Sequence, residues 1–133
     1  MIFTRICILG SNGLLGGVLS VRLREKKNKL FLISKSIPKQ KKNNFYSLDI
    51  NNKKKLEKLL VSIKPDIIIN CVAYTDVTRC EKYKKKAIRI NSELLKNLLN
   101  VLNKINLKAH IIHISTDQVY NNVVGRINKE KDY

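Results

Sequence analysis

The chain has 133 residues, enough for one domain with a real core. No apolar run approaches the ~20 residues of a membrane span, so no membrane role is expected. The 27 Lys and Arg against 10 Asp and Glu give a net charge of +17, a field that favours an anionic ligand. The lysines fall in expected loops and on solvated helix faces, as at Lys39, Lys41 and Lys42, at Lys53 to Lys55, and at Lys84 to Lys86. No arginine-rich helix or basic–aromatic interleaving accompanies them, which argues against a nucleic-acid surface.

In chain order, residues 6–9 read as a first apolar strand. Gly10-Ser-Asn-Gly13-Leu-Leu-Gly16 follows, and then a helix over residues 14–26. Strand, glycine turn and helix together form a grip for the pyrophosphate of a dinucleotide. The glycines allow close backbone approach, and the helix N-terminus offers free N–H groups and partial positive charge. Residues 30–33 form a second apolar run, 34–44 a polar loop with Pro38, and 45–48 a third strand ending at Asp49. Asn52 caps the next helix, where Leu56, Leu59, Leu60 and Ile63 make an apolar face that Pro65 ends. Residues 66–70 are a fourth strand, 85–106 a long helix and 110–114 a fifth strand. Residues 121–133 form a polar tail without pattern.

Strands of continuous Ile and Leu belong to parallel sheets covered on both faces. Their alternation with helices predicts an α/β fold, a Rossmann-type doubly wound parallel sheet of about five strands in the order 3-2-1-4-5. Residues 1–120 form the NAD(P)-binding unit on this reading. Cys7, Cys71 and Cys80 make no CxxC pattern, and their odd number points to reduced thiols and a cytoplasmic location. His110 and His113 lie three apart on a strand, face opposite ways and make no metal site. Asn70 reads as a loop tie and Asn91 as a helix-to-loop hydrogen bond.

Two segments beside the glycine turn carry a narrower signal: Lys64-Pro-Asp-Ile-Ile-Ile-Asn-Cys-Val-Ala-Tyr-Thr75 and His113-Ile-Ser-Thr-Asp-Gln-Val-Tyr120. With the glycine turn, and in this order, they resemble the dTDP-4-dehydrorhamnose reductases of the extended short-chain dehydrogenase/reductase superfamily. The resemblance implies an NADPH- or NADH-dependent reduction of a nucleotide-sugar, dTDP-4-dehydro-L-rhamnose, to dTDP-L-rhamnose. It implies that Gly10, Gly13, Leu14, Leu15 and Gly16 hold the pyrophosphate. Ser34 faces the adenosine ribose, and Asp49 and Ile50 flank the adenine. Ala73, Tyr74, Thr75 and Ile114 line the rest of the cofactor. Thr116 is the catalytic threonine that hydrogen-bonds the substrate's keto oxygen, and Asp117 contacts substrate. Departures are Cys71 and Val72 in place of alanines, Thr78 in place of an aspartate and Gln118 in place of a tyrosine.

The family's Tyr-x-x-x-Lys pair has no match, since neither Tyr120 nor Tyr133 has a lysine four residues on. The chain therefore reads as the N-terminal portion of such a reductase, truncated after the fifth strand and inactive by itself. The exposed edge of that strand predicts self-association, hence a possible homo-oligomer. The segment Ser34-Lys35-Ser36 holds no acid for ribose hydroxyls. Lys35 can meet a 2′-phosphate there, which leans the cofactor to NADPH. Two other readings stay open: a non-catalytic NAD(P)-binding remnant or regulatory subunit, and a basic nucleic-acid-binding protein.

Overall fold

The computed structural model describes residues 3–26, 28–36, 44–116 and 129. Five strands, β1 (Arg5–Leu9), β2 (Lys29–Ser34), β3 (Phe45–Ser47), β4 (Ile67–Asn70) and β5 (His110–His113), form one sheet in the order β3-β2-β1-β4-β5. Every pairing is parallel, with Ile8 opposite Leu32 on one side and Ile69 on the other. The expected fold class and strand order are both observed.

Strand alternation divides the core between the two faces of the sheet. Cys7, Leu9, Phe31, Ile33 and Ile68 join Leu56, Leu60 and Ile63 of helix α2 (Lys53–Ile63) in one cluster. Leu94, Leu98, Val101 and Leu102, from a helix described below, complete that cluster. Ile6, Ile8, Leu30, Leu32 and Ile69 form the other, against Leu19 and Leu23 of α1 (Leu14–Arg24). Each fully buried Leu or Ile side chain contributes roughly 1.5–3 kcal/mol of burial. Asn52 caps α2 as expected, its side chain accepting from the N–H of Lys55. Lys64, at φ 43°, turns the chain left-handed just before Pro65.

Four expectations need correction. Helix α1 ends at Arg24, two residues short of Lys26, in a turn through Glu25. The loop after β4 contains an unexpected short helix, α3 (Val77–Lys82), capped by Asp76. The long helix is not uniform: α4 (Lys84–Ile88) runs into a π-helical turn (Arg89–Glu93) and then α5 (Leu94–Lys104). Nor, among the described residues, is every strand covered on both faces. In β5, Ile112 is 40% exposed, because α1 lies over β1 and β2 and does not reach the sheet edge. Among the described residues no helix is long and apolar enough to cross a membrane.

The N-terminal ends of β1 and β4 are joined by one carboxylate. Asp66 Oδ2 accepts from the Arg5 backbone N–H at 2.8 Å and from Nε at 3.3 Å, and Oδ1 accepts from the guanidinium at 2.9 Å. The Arg5 side-chain hydrogen bonds, and then its backbone N–H, hold the Asp66 carboxyl below its ordinary value of 3.8. A carboxyl depressed in the folded state adds stability that is complete above its unfolded value and is lost as pH falls through the folded one. Urea midpoints should therefore decline between about pH 5 and pH 2, with Asp66→Asn declining less than the parent chain over that interval. An identical acid slope in the two would contradict the assignment.

Candidate functional site

The site begins where β1 ends. Gly10 adopts φ +79°, a left-handed conformation that glycine takes without strain. Its N–H donates to Ile33 O at 2.8 Å, and the N–H of Ser11 donates to the same oxygen at 3.1 Å. These bonds pin the turn to the end of β2. A Cβ on Gly10 would stand 3.0 Å from Val72 Cγ2, so the turn also lies directly on the loop after β4. Gly16 sits closer still, since a Cβ there would come within 2.3 Å of Gly10 O.

Gly13 begins α1 with no side-chain cap, and no acidic residue stands in the first turn. The leading N–H groups and the positive end of the helix dipole are thus left for something other than a side chain of this helix. The hydroxyl of Ser11, buried within the turn, has no hydrogen-bond partner among the described residues. A glycine-lined approach, an uncapped helix start and an orphaned hydroxyl fit the phosphates of a dinucleotide.

The loop after β4 is held by three side chains, those of Asn70, Asn91 and Cys80. Buried Asn70 takes the Val72 N–H on Oδ1 at 3.1 Å, which turns its Nδ2 toward His113 Nδ1, also at 3.1 Å. A backbone N–H can only donate, so Asn70 Nδ2 is the donor to His113. Nδ1 of the imidazole accepts in that bond. Two residues on, the backbone of Tyr74 meets the side chain of Asn91. The Tyr74 N–H donates to Oδ1 at 2.7 Å, and Nδ2 donates to Tyr74 O at 3.0 Å. The Cys80 thiol donates to the same carbonyl at 3.1 Å.

A cleft of about 920 Å³ opens at the C-terminal ends of β1, β4 and β5. Of the residues expected at a site, it gathers Gly13, Leu14, Leu15, Ala73, Tyr74, Thr75, Ile114 and Thr116. Leu14, 92% exposed, and Val77, 70% exposed, both line it and give it an open apolar surface. Gly10 and Gly16 lie beneath, shaping the turn rather than lining the cleft.

The residues expected at the adenosine end lie apart from this cleft. Ser34 is buried and its hydroxyl donates to Ser36 O. The side chain of Ile50 is in the core, so that only its backbone remains available to flank a base. Asp49 Oδ1 accepts from the backbone N–H and side-chain amide of Asn51, at 3.0 and 2.9 Å, and these bonds lower its pKa. Its Oδ2 pairs with Lys35 Nζ at 3.1 Å. Asp117 falls outside the described residues.

The cleft also holds residues that sequence reasoning did not assign to it: Cys71, Val72, Cys80, Lys84, Asn91 and His113. Asn70 and Asn91 do make the loop-tying bonds expected of them. The partner of each, His113 or the Tyr74 backbone, is set by tertiary geometry. Burial raises the pKa of the Cys71 thiol. Among the described residues no group of three or more His, Cys, Asp or Glu side chains is placed to hold a metal ion.

Residues 4–133 match the family described as the RmlD substrate binding domain. A probable low-salt glycan biosynthesis reductase, Agl14, of Haloferax volcanii is 30% identical over 125 residues, covering 94% of this chain and 41% of the relative. A hypothetical dTDP-4-dehydrorhamnose reductase from Sulfolobus tokodaii superposes with a TM-score of 0.79 at 34% identity, over 98% of this chain and 45% of that one. The dTDP-4-dehydrorhamnose reductase of Bacillus anthracis, solved in complex with NADP, gives 0.74 at 30% identity, over 90% and 39%. The chain thus spans less than half the length of each of these proteins.

Proposed function

The chain belongs to the RmlD substrate binding domain family, and from this we propose that it forms the cofactor-binding part of an NAD(P)H-dependent nucleotide-sugar reductase. The observation that carries the reading is the cleft, which brings together the start of α1 at Gly13, the loop after β4 and residues 114–116. Ligands of open α/β sheets bind at this end of the strands, where the connections part to opposite faces. A nicotinamide cofactor bound there supplies hydride to a ketone carbon. The Bacillus anthracis relative binds NADP, which supports the same cofactor here.

The roles of the chain's own residues follow from position. The N–H groups of Leu14 and Leu15, at the uncapped start of α1, receive the pyrophosphate. Gly10, Gly13 and Gly16 keep side chains out of that approach. Tyr74 and Thr75 orient the nicotinamide half from the loop after β4, and Ile114 flanks it. Thr116 donates to the keto oxygen of the sugar, as its match to the reductase family implies. The substrate is a nucleotide-sugar of the dTDP-4-dehydrorhamnose class, and residues 1–120 make up the cofactor-binding unit.

Lys35 decides between the two cofactors. Its side chain is 81% exposed and its ammonium rests on Asp49, so it can turn to a 2′-phosphate at little cost. Calorimetric titration of the chain should show NADPH bound more tightly than NADH. Lys35→Glu should weaken NADPH by about tenfold and leave NADH nearly unchanged. A preference for NADH would overturn the role of Lys35. Failure of the folded chain to bind either dinucleotide would overturn the functional reading itself.

A further inference from the structure

We propose that His113 is a positioning residue for the nicotinamide half of the dinucleotide: it acts through Asn70 on the loop after β4, and a proton taken up by its imidazole loosens that loop. The effect on binding rests on the cofactor reading above, whereas the relay from His113 to the loop does not.

The parallel pairing of β4 and β5 sets Asn70 opposite His113. Ile68 and Ile111, two residues earlier on each strand, pack in one core cluster, so Asn70 and His113 stand on that same face of the sheet. Asn70 is only 1% exposed, and a buried amide must find its partners inside the protein. It finds one on each side: Oδ1 accepts from the Val72 N–H, and Nδ2 donates to His113 Nδ1, both at 3.1 Å. His113 and Val72 both line the cleft, and the loop that Val72 begins carries Tyr74 and Thr75 along it.

The direction of this relay is set at its backbone end. The Val72 N–H only donates, so the amide must offer it the oxygen. The NH2 group then faces the imidazole, and Nδ1 must supply a lone pair. A proton on Nδ1 removes that lone pair and sets two donors face to face. Turning the Asn70 amide over relieves them but sets Nδ2 against the Val72 N–H. One of the two bonds is lost whichever way the amide points, so the Val72 peptide responds to the charge on a side chain of another strand. The titratable and charged side chains turned to the same cleft are Glu81 of α3, Lys84 of α4, and Cys71, Tyr74 and Cys80. β4 contributes Asn70, the π turn Asn91, and α5 the apolar Leu94 and Leu98, none of which titrates. Histidine is the side-chain type among these whose charge ordinarily changes between about pH 5 and pH 8.

The test follows the amide and imidazole resonances of the 133-residue chain from about pH 8 to about pH 5. It also titrates NADP and 2′,5′-ADP, the adenosine half alone, at both ends of that range. The Val72 amide resonance is expected to move with the same midpoint as the His113 ring. NADP affinity should fall about fivefold more than 2′,5′-ADP affinity on acidification, as for the loss of one hydrogen bond. The 2′-phosphate is common to both ligands, so its own titration cancels in the ratio. His113→Asn keeps an oxygen acceptor near the place of Nδ1 and does not titrate. In that variant the Val72 shift should vanish and the two ligands should share one pH dependence, whereas His110→Asn, on the opposite face of β5, should behave as the parent. A Val72 resonance that stays still or has another midpoint overturns the proposal. So does a ligand ratio that is flat in the parent, or one whose slope survives in His113→Asn, because a merely structural role lowers NADP affinity equally at every pH. Should His113→Asn fail to fold, the parent's two midpoints and its ligand ratio decide. A parent chain that binds neither ligand while Val72 follows His113 overturns the cofactor reading instead, so the two failures are separable.

Discussion

Gly16→Ala is expected to lower the stability of this chain by about 3 kcal/mol, and its melting temperature by roughly 10 °C. The added methyl carbon would sit 2.3 Å from Gly10 O, 2.9 Å from Gly10 C and 3.0 Å from Ser11 Cα. All three atoms are backbone, so no side chain can swing away. The turn that would have to move is tied to β2 through both the Gly10 and the Ser11 N–H groups. Helix α1 must then lift from the sheet, drawing Leu19 and Leu23 out of the core cluster they cover. Alanine favours a helix interior over glycine by about 1 kcal/mol, which offsets only part of this cost. Urea denaturation followed by circular dichroism measures the effect. A midpoint within error of the parent would show that the strand and helix can separate without loss.

Gly13→Val is expected to leave the fold intact and to weaken NADPH by about a hundredfold, through the loss of one or two charge-assisted contacts to the pyrophosphate. Gly13 has φ −73° and ψ 170°, an extended conformation open to any residue. An added Cβ meets only Gly10 O, at 3.2 Å, a contact that a small shift relieves. The new isopropyl group would project at the exposed start of α1, over the N–H groups of Leu14 and Leu15. Parallel titration and thermal melts separate the two glycines: Gly16 acts on stability, and Gly13 on binding. A Gly13→Val chain that melts like the parent and binds NADPH equally well would remove the glycine turn from the site.

Much of this molecule was legible as sequence because its signals are local. Apolar runs of two to four residues mark β1, β2, β4 and β5, and their alternation with 3.6-residue periodicity is enough for a parallel sheet. The order 3-2-1-4-5 follows because right-handed crossovers leave few alternatives. The glycine spacing marks the turn, and Asn52 and Pro65 mark the limits of α2. Each feature depends on neighbours within a few residues, so propensity and period suffice to find it.

Other features depended on partners far along the chain. The π turn is invisible in a stripe that reads as continuous helix from Ala87 to Ile105, and the partner of its Asn91 lies in a loop 17 residues earlier. Asn70 and His113 lie 43 residues apart, and their hydrogen bond exists only because β4 and β5 pair in the register that sets these two opposite each other. Ser34, Asp49 and Ile50 matched a family pattern by position, yet where their side chains point was set by local packing and by Lys35 and Asn51. Sequence alone determined the five strands, the helices α1 and α2 and the order in which the strands pair, since those choices rest on short-range sterics and burial. Tertiary structure decided which polar groups meet in the cleft, because the register of neighbouring strands and the aim of one helical turn bring together residues that no local pattern connects.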